Sequence, residues 1–170
     1  GMLMRADVVA NSLDKKISNK NEKIIYLSPR GIKFDQAYAK KILNNNINII
    51  CGHFEGIDER LLKTRNIEEV SVGDFVLSGG EVAALAVIDA AVRLIPGVIG
   101  NPNSLIDETF EKNLLEYPQY TKPQKWENKD VPEVLLSGDH NRIKGWRLDQ
   151  SKDITRRRRP DLWKKYKKEK

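Results

Sequence analysis

The chain has 170 residues, 39% of them hydrophobic and 32% charged, which is typical of a soluble globular protein with one large domain or a domain and a smaller second one. Its longest apolar run, 82–88, is too short to span a bilayer, and no secretory leader is recognisable, so a membrane or secreted protein is not expected. A single cysteine, Cys51, cannot form an internal disulfide. Together these features predict a cytoplasmic protein.

Segments with the character of buried strands recur along the first hundred residues. KIIYLSPRG, 23–31, predicts a strand that ends at Ser28 and Pro29 and is followed by a turn. INIICG, 47–52, predicts a second strand, and VGDFVLSGG, 72–80, predicts a third. Both of these segments end at glycine, where a strand commonly gives way to a turn.

Helical segments alternate with these strands. The remains of a helix are predicted at 3–13, and FDQAYAKKIL, 34–43, predicts a helix with Asp35 near its start. GIDERLLK, 56–63, predicts a short helix, and 81–95 predicts a long one. The long helix is apolar on nearly every side, so we expect it to be buried all round, with one side a candidate subunit interface. The alternation predicts an α/β fold with a parallel sheet covered on both faces.

A ligand pocket is predicted where the three strands end. In parallel sheets, ligands bind beyond the carboxyl ends of the strands, and here each end carries glycine or proline, as in YLSPRG, CGHFEG and VLSGG. Glycine lets the backbone approach a ligand closely. The chain has neither G-x-G-x-x-G nor G-x-x-x-x-G-K-[ST], so the usual phosphate cradles are not expected. An adenine with a small charged group suits such a pocket better.

Positive charge is concentrated at the end of the chain. Residues 142–170 hold 13 Lys or Arg against four acids, a net +9, whereas the remaining residues carry 17 basic and 20 acidic groups, a net −3. Such asymmetry favours a polyanionic partner, although a merely solvated tail remains an alternative. Trp146, Trp163 and Tyr166 lie among these charges and favour a nucleic acid, because aromatic side chains stack on bases or anchor a folded unit.

YLSPRG, CGHFEGIDER, SVGDFVLSGGE, IPGVIG and VPEVLLSGDH, in this order, resemble bacterial tRNA (guanine-N1)-methyltransferases, the TrmD family of the SPOUT superfamily. The resemblance implies an α/β fold with a deep trefoil knot and S-adenosyl-L-methionine as the methyl donor. It also implies a homodimer with a shared active site that methylates N1 of guanosine 37, next to the anticodon of tRNA. Mg²⁺ is a candidate cofactor by the same resemblance, although no metal-ligand spacing is visible.

Carried over position by position, the resemblance assigns cofactor contacts to three groups of residues. They are Tyr26, Leu27, Ser28 and Pro29 on one wall, Gly52, Glu55 and Gly56 on another, and Val72, Gly73, Asp74, Phe75, Val76, Leu77, Gly79 and Gly80 on the adenine side. Apolar walls, close backbone and few charges fit a flat base.

The resemblance also implies a catalytic base and a cation. N1 of guanine bears a hydrogen, so a carboxylate has to take this proton as the new C–N bond forms. The base position of the family holds Glu108, while Asp107 lies one residue earlier; Glu108 is preferred and the choice stays open. Arg93 matches a family arginine near the guanine, although a basic residue at a helix end also complements the helix dipole.

Two departures from the family pattern bear on function. His53 and Phe54 stand where the family usually has Arg and Tyr, and the chain is expected to lack the N-terminal part of a usual member. A catalytically impaired fragment that binds RNA or cofactor is therefore an alternative to the enzyme, and a nucleotide-binding oxidoreductase is a more distant one.

By resemblance, the chain divides into three parts. Residues 1–100 are expected to form the cofactor-binding domain, 101–112 a linker, and 113–170 a helical tRNA-binding domain. In the last part, HNRIKGWRLDQS predicts a helix, with TRRRRPDLWKKYKKEK as its basic end.

Overall fold

The computed structural model describes residues 2–19, 21–99, 109–110 and 112–169. The chain forms two compact units, Gly1–Gly100 and Asn101–Lys170. In the part of the chain described, no helix is both long enough and apolar enough to cross a membrane.

The first unit is an α/β structure with three parallel strands, as the sequence predicts. The strand order is β2-β1-β3, with β1 in the centre. Its elements in chain order are α1 Ala6–Lys16, β1 Lys23–Lys33, α2 Gln36–Ile42, β2 Ile47–Ile50, α3 Glu59–Thr64, β3 Glu68–Ser71 and α4 Glu81–Val92.

Side chains of the central strand alternate between two apolar clusters. Ile24 and Tyr26 pack with α1 and α3 in one cluster, whereas Ile25 and Leu27 pack with α2 and α4 in the other. This alternation follows from the two-residue period of a strand, and it accounts for the nearly continuous apolar sequence of β1. The sheet therefore has helices on both faces.

The structure corrects the predicted end of the first strand. β1 continues to Lys33 through an irregularity in its pairing with β3, where Leu27 and Ile32 both lie opposite Val70. Ser28 and Pro29 lie in this bulge rather than at a strand end. A bulge adds unpaired residues to one strand and bends it, so the chain leaves the sheet and returns to it.

The third strand was misplaced in the sequence analysis. β3 is Glu68–Ser71, and the segment 72–80 is an irregular loop in which Phe75 and Val76 are 54% and 83% exposed. The apolar run at 75–77 made 72–80 resemble a strand, whereas the two successive acids Glu68 and Glu69 concealed the real one.

Helix α4 ends at Val92, and it is not buried all round. Ala84 and Val87 face the core, but Val82, Leu85 and Ile88 are exposed on another side. The prediction of complete burial is therefore wrong for the single chain.

The second unit consists of a short hairpin and three helices among the described residues. They are β4 Lys125–Trp126, β5 Lys129–Asp130, α5 Glu133–Leu136, α6 His140–Arg158 and α7 Pro160–Lys168. The predicted basic end of α6 is in fact partly a separate helix, because Arg159 has non-helical angles and Pro160 begins α7.

Candidate functional site

A cavity of about 550 Å³ opens at the carboxyl ends of the three parallel strands. Three segments line most of it: the first pocket loop, 28–31, the second pocket loop, 51–57, and the third pocket loop, 72–80. The first is the bulge of β1, and the others follow β2 and β3. This is the position at which parallel α/β sheets bind ligands.

Backbone hydrogen bonds hold the pocket loops in place. The Gly80 amide donates to the Gly52 carbonyl at 2.9 Å, which ties the third loop to the second. The Met4 amide donates to the Gly56 carbonyl at 2.9 Å, and the Glu55 amide donates to the Met2 carbonyl at 3.1 Å, so the start of the chain braces the second loop. The loops are thus part of a packed structure rather than free connections.

Two glycines permit close approach beneath the cavity. A Cβ at Gly80 would lie 2.7 Å from Cys51 Cα, and one at Gly52 would lie 2.6 Å from the ring of Tyr26. Contacts this short leave no room for a side chain, and at Gly80 the neighbour is backbone that cannot turn aside. The glycine pair at the start of α4 therefore allows two chain segments to cross closely.

Exposed apolar side chains surround the cavity. Phe54 is 66% exposed and has φ +58°, in the left-handed region that is uncommon for a non-glycine residue. Leu3, Phe75 and Val76 are also exposed and line the cavity with it. An apolar rim around exposed backbone suits a flat ligand with few charges.

Two ion pairs lie at the edges of the cavity. Arg30 donates to Glu59 at 2.9 Å and to Glu69 at 3.1 Å, and its guanidinium lowers the pKa of Glu59. His53 Nε2 lies 2.6 Å from Glu81 Oε1, and this hydrogen bond lowers the pKa of Glu81. The charges at the edge are thus largely paired with each other.

Burial shifts two further groups beside the cavity. It raises the pKa of the Tyr26 phenol, with a smaller contribution from Glu69. It also raises the pKa of the Cys51 thiol, and the charge of Glu81 acts in the same direction. Both groups are therefore neutral at neutral pH, and neither is an activated nucleophile.

The cavity brings together nearly all of the residues for which cofactor contacts were predicted. Asp74 is the exception, since it is exposed in the third pocket loop and does not line the cavity. Those that line it are Tyr26, Leu27, Ser28, Pro29, Gly52, Glu55, Gly56, Val72, Gly73, Phe75, Val76, Leu77, Gly79 and Gly80.

Of the predicted catalytic residues, Arg93 does not line this cavity. Arg93 follows the last residue of α4, at the opposite end of the helix from Gly80. Asp107 and Glu108 lie outside the described residues.

Sequence reasoning missed several residues that line the cavity. Arg30, His53 and Phe54 fall inside the quoted motifs, so their proximity to the pocket could have been inferred from their loops. The proximity of Leu3 could not have been inferred, because Leu3 reaches the cavity through the long-range pairing of Met4 with Ile57.

Among the described residues, no group of three or more His, Cys, Asp or Glu side chains is arranged to hold a metal ion. The cavity offers apolar surface, backbone groups and paired charges instead.

Aromatic side chains of the second unit serve as internal anchors. Trp146 packs against Tyr120 with 6.2 Å between ring centroids, and Trp163 stacks on Tyr166 at 5.5 Å. Arg147 lies 4.8 Å from the ring of Tyr117. Of the two roles that the sequence left open for these aromatics, anchoring the fold is therefore the one observed within the unit.

Comparison with known proteins gives consistent results over nearly the whole chain. The sequence pattern of the family described as tRNA (Guanine-1)-methyltransferase TrmD matches residues 1–165. A protein of Pelagibacter ubique named tRNA (guanine-N(1)-)-methyltransferase is 64% identical over 169 residues, which are 99% of this chain and 74% of the relative. Proteins of the same name from Ehrlichia canis and Ruegeria pomeroyi are 50% and 49% identical, over 95% and 98% of this chain and 70% of each relative. The chain therefore belongs to the TrmD family of tRNA (guanine-1)-methyltransferases.

Proposed function

We propose that this protein transfers a methyl group from S-adenosyl-L-methionine to N1 of the guanine that follows the anticodon of tRNA. The observation that carries the proposal is the cavity at the strand ends, because the family motifs that form it come from three separate parts of the chain. The membership of the chain in a methyltransferase family supports the same reaction.

The cavity is proposed to hold the cofactor through shape and backbone. The third pocket loop, with Gly79 and Gly80, would contact the adenine, while Tyr26 and the second pocket loop would form the opposite wall. A mostly apolar lining with exposed backbone fits a flat base, and the volume of about 550 Å³ lies within the range of small-molecule sites. This arrangement also explains the absence of a phosphate-binding glycine motif.

The chemistry requires a base, and we assign this role to Glu108, with Asp107 as its alternative. S-adenosyl-L-methionine supplies an electrophilic methyl group, whose bond to sulfur breaks as the bond to guanine N1 forms. The carboxylate takes the N1 proton in the same step, and general bases of this kind contribute about 10²–10⁴-fold in rate. The products are N1-methylguanine, S-adenosylhomocysteine and a protonated carboxyl group.

Arg93 is proposed to act in the cavity of a partner subunit. The twelve residues of α4 rise about 1.5 Å each, so roughly 18 Å separates Arg93 from the cavity at the start of the helix. An arginine near the developing negative charge on guanine O6 would lower the barrier, but only if a second chain brings it there. This distance supports an active site shared between two subunits.

Exposed apolar residues on α4 support the homodimer. Val82 and Leu85 are 64% and 67% exposed, and Ile88 and Val92 extend the same side of the helix. Such a row on a soluble chain is typical of a protein interface, and a second copy of the helix is the occupant we propose.

We further propose the SPOUT trefoil knot in the first unit and tRNA binding by the second. The close approach of the Gly80 backbone to that of Cys51 supports a threaded chain at this point. The basic helices α6 and α7 support RNA binding, because phosphate contacts supply most of the affinity and little of the base choice. We expect the protein to act in the cytoplasm, where tRNA is found.

The test is methyl transfer from labelled S-adenosyl-L-methionine to tRNA transcripts. We expect label on N1 of the guanine next to the anticodon, and none on a transcript with adenine at that position. Assays with and without a chelator test whether Mg²⁺, the candidate cofactor that the family resemblance implies, is required. Binding of tRNA and cofactor without transfer would instead favour the catalytically impaired form considered above.

A further inference from the structure

A side-chain hydrogen bond joins the second pocket loop to the helix that follows the third. His53 belongs to the second pocket loop, Glu81 is the first residue of α4, and 2.6 Å separates His53 Nε2 from Glu81 Oε1. The side chains are 45% and 57% exposed, so the pair lies at the surface. His53 also lines the cavity, so the contact lies at the ligand site itself.

The neighbouring backbone shows that the pair stands at the junction of the loops. His53 and Gly79 form an isolated antiparallel bridge, and the Gly80 amide donates to the Gly52 carbonyl. Because backbone contacts already bring the loops together here, the His53–Glu81 pair sets how firmly they are held rather than whether they meet. A ligand that contacts both loops depends on this spacing.

Glu81 is the partner that His53 faces. Among the described residues, it is the charged side chain within ion-pair distance of His53. Glu55 and the neutral thiol of Cys51 share the loop of His53, and Glu81 is favoured as an anion by the first turn of α4. Glu81 is therefore the acceptor of the hydrogen bond, since an ionised carboxylate cannot donate.

We propose that His53 is a positioning residue for the cofactor, whose imidazole binds Glu81 and holds the second pocket loop against the start of α4 at the spacing that the cofactor requires. The inference rests on the proposed function, because it takes the cofactor to be the ligand of this cavity. It predicts that removal of either partner weakens cofactor binding.

Calorimetric titration with S-adenosylhomocysteine tests the proposal. His53→Gln and Glu81→Gln should each bind roughly two- to five-fold more weakly than the wild type, as the strength of an exposed pair allows. His53→Arg can still bind the carboxylate of Glu81 and should keep the wild-type affinity.

Asp14→Asn is the matched control, because Asp14 forms an exposed ion pair with Arg65 and does not line the cavity. Its affinity should equal that of the wild type. Equal affinities for His53→Gln, Glu81→Gln and the wild type would overturn the proposal.

A second measurement needs no cofactor. Cys51, the single thiol of the chain, lies beside the junction, so its alkylation by iodoacetamide reports how firmly the loops are held. His53→Gln should speed alkylation at a fixed, mildly acidic pH, whereas His53→Arg should not. Unchanged alkylation in His53→Gln would contradict the proposal, and failure of the wild type to bind S-adenosylhomocysteine would instead contradict the proposed function, leaving alkylation to decide on His53.

Discussion

The two units of the molecule differ in how they present charge. The cavity of the first unit is lined largely by apolar side chains and backbone, and several of its charged groups are paired, as Arg30 is with Glu59. The second unit carries the basic excess, with 13 Lys or Arg against four acids in residues 142–170. The difference fits the proposal that one unit selects a small ligand by shape and the other holds a polyanion by charge.

Loss of the catalytic base should have the largest effect. Glu108→Gln removes the proposed proton acceptor, so methyl transfer should fall by about 10²–10⁴-fold while cofactor affinity stays nearly unchanged. Single-turnover methylation and calorimetry measure the two quantities. Asp107→Asn is the control. Full activity in Glu108→Gln together with loss in Asp107→Asn would transfer the role to Asp107.

A charge on the exposed side of α4 should abolish methyl transfer while the chain stays folded. Leu85→Glu places a carboxylate in the proposed dimer interface and should weaken association by about 2–4 kcal/mol, with loss of methyl transfer. Sedimentation at several concentrations measures the dimer. Val8→Glu, an equivalent change at a 59% exposed position of α1, should leave it intact. An unaltered dimer in Leu85→Glu would place the interface elsewhere.

A side chain at Gly80, where the backbone approaches Cys51 beneath the cavity, should affect the first unit alone. A methyl group at Gly80 meets the backbone of Cys51 at 2.7 Å, so Gly80→Ala should cost about 1–3 kcal/mol and reduce cofactor binding. The matched change Gly145→Ala, on α6 with nothing within 4 Å, should be neutral or slightly stabilising. Thermal unfolding and calorimetry give the two readouts. Normal binding by Gly80→Ala would show that the crossing does not shape the cavity.

Neutralising basic residues should affect the second unit alone. Arg157 is paired with Asp153, whereas no ion pair of Arg156 or Arg158 occurs among the described residues, so the latter two are available to phosphates. Arg156→Gln with Arg158→Gln should weaken tRNA binding and lower the slope of log affinity against log salt by roughly one per lost contact. Filter binding over a salt series measures the slope, and an unchanged slope would exclude these arginines from the RNA interface.

The smallest expected effect concerns the reactivity of the Cys51 thiol beside the cavity. Burial, with help from the charge of Glu81, raises the pKa of the Cys51 thiol, so the reactive thiolate forms only above the usual range. Alkylation rates over a neutral-to-alkaline pH series should therefore show a midpoint above that of a free thiol. A midpoint at or below the value of free cysteine would mean that Cys51 is more solvated than the structure indicates.

The pocket could be predicted from the sequence because its residues stand in contiguous motifs at strand ends. The third strand could not be predicted, because its two acidic side chains are bound by residues that are distant in sequence. Burial alone would raise the pKa of Glu68. Lys23 and the hydroxyl of Tyr38 bind its carboxylate, however, and the net effect is a lowered pKa. Glu69 is bound in the same way by Arg30. A prediction from local sequence disfavours two successive acids in a strand, because the distant residues that bind them are not part of the local pattern.

The exposed side of α4 shows a second limit of sequence reading. The composition of the helix predicts burial, and the core side bears this out through Val87, but Leu85 on another side stays exposed within one chain. Whether such a side is covered depends on a second molecule, which the pattern of one helix does not specify. By contrast, the division between α6 and α7 had a local signal in Pro160, a residue that commonly begins a helix.

Calorimetric titration of the protein with S-adenosyl-L-methionine tests the central claim most directly. We expect about one site per chain, with an affinity that is unchanged by Arg156→Gln and Arg158→Gln and reduced by Gly80→Ala. Such a result would place cofactor recognition in the first unit, independent of the basic helices. Failure of the folded protein to bind the cofactor would contradict the account, because the cavity would then not be the methyl-donor site.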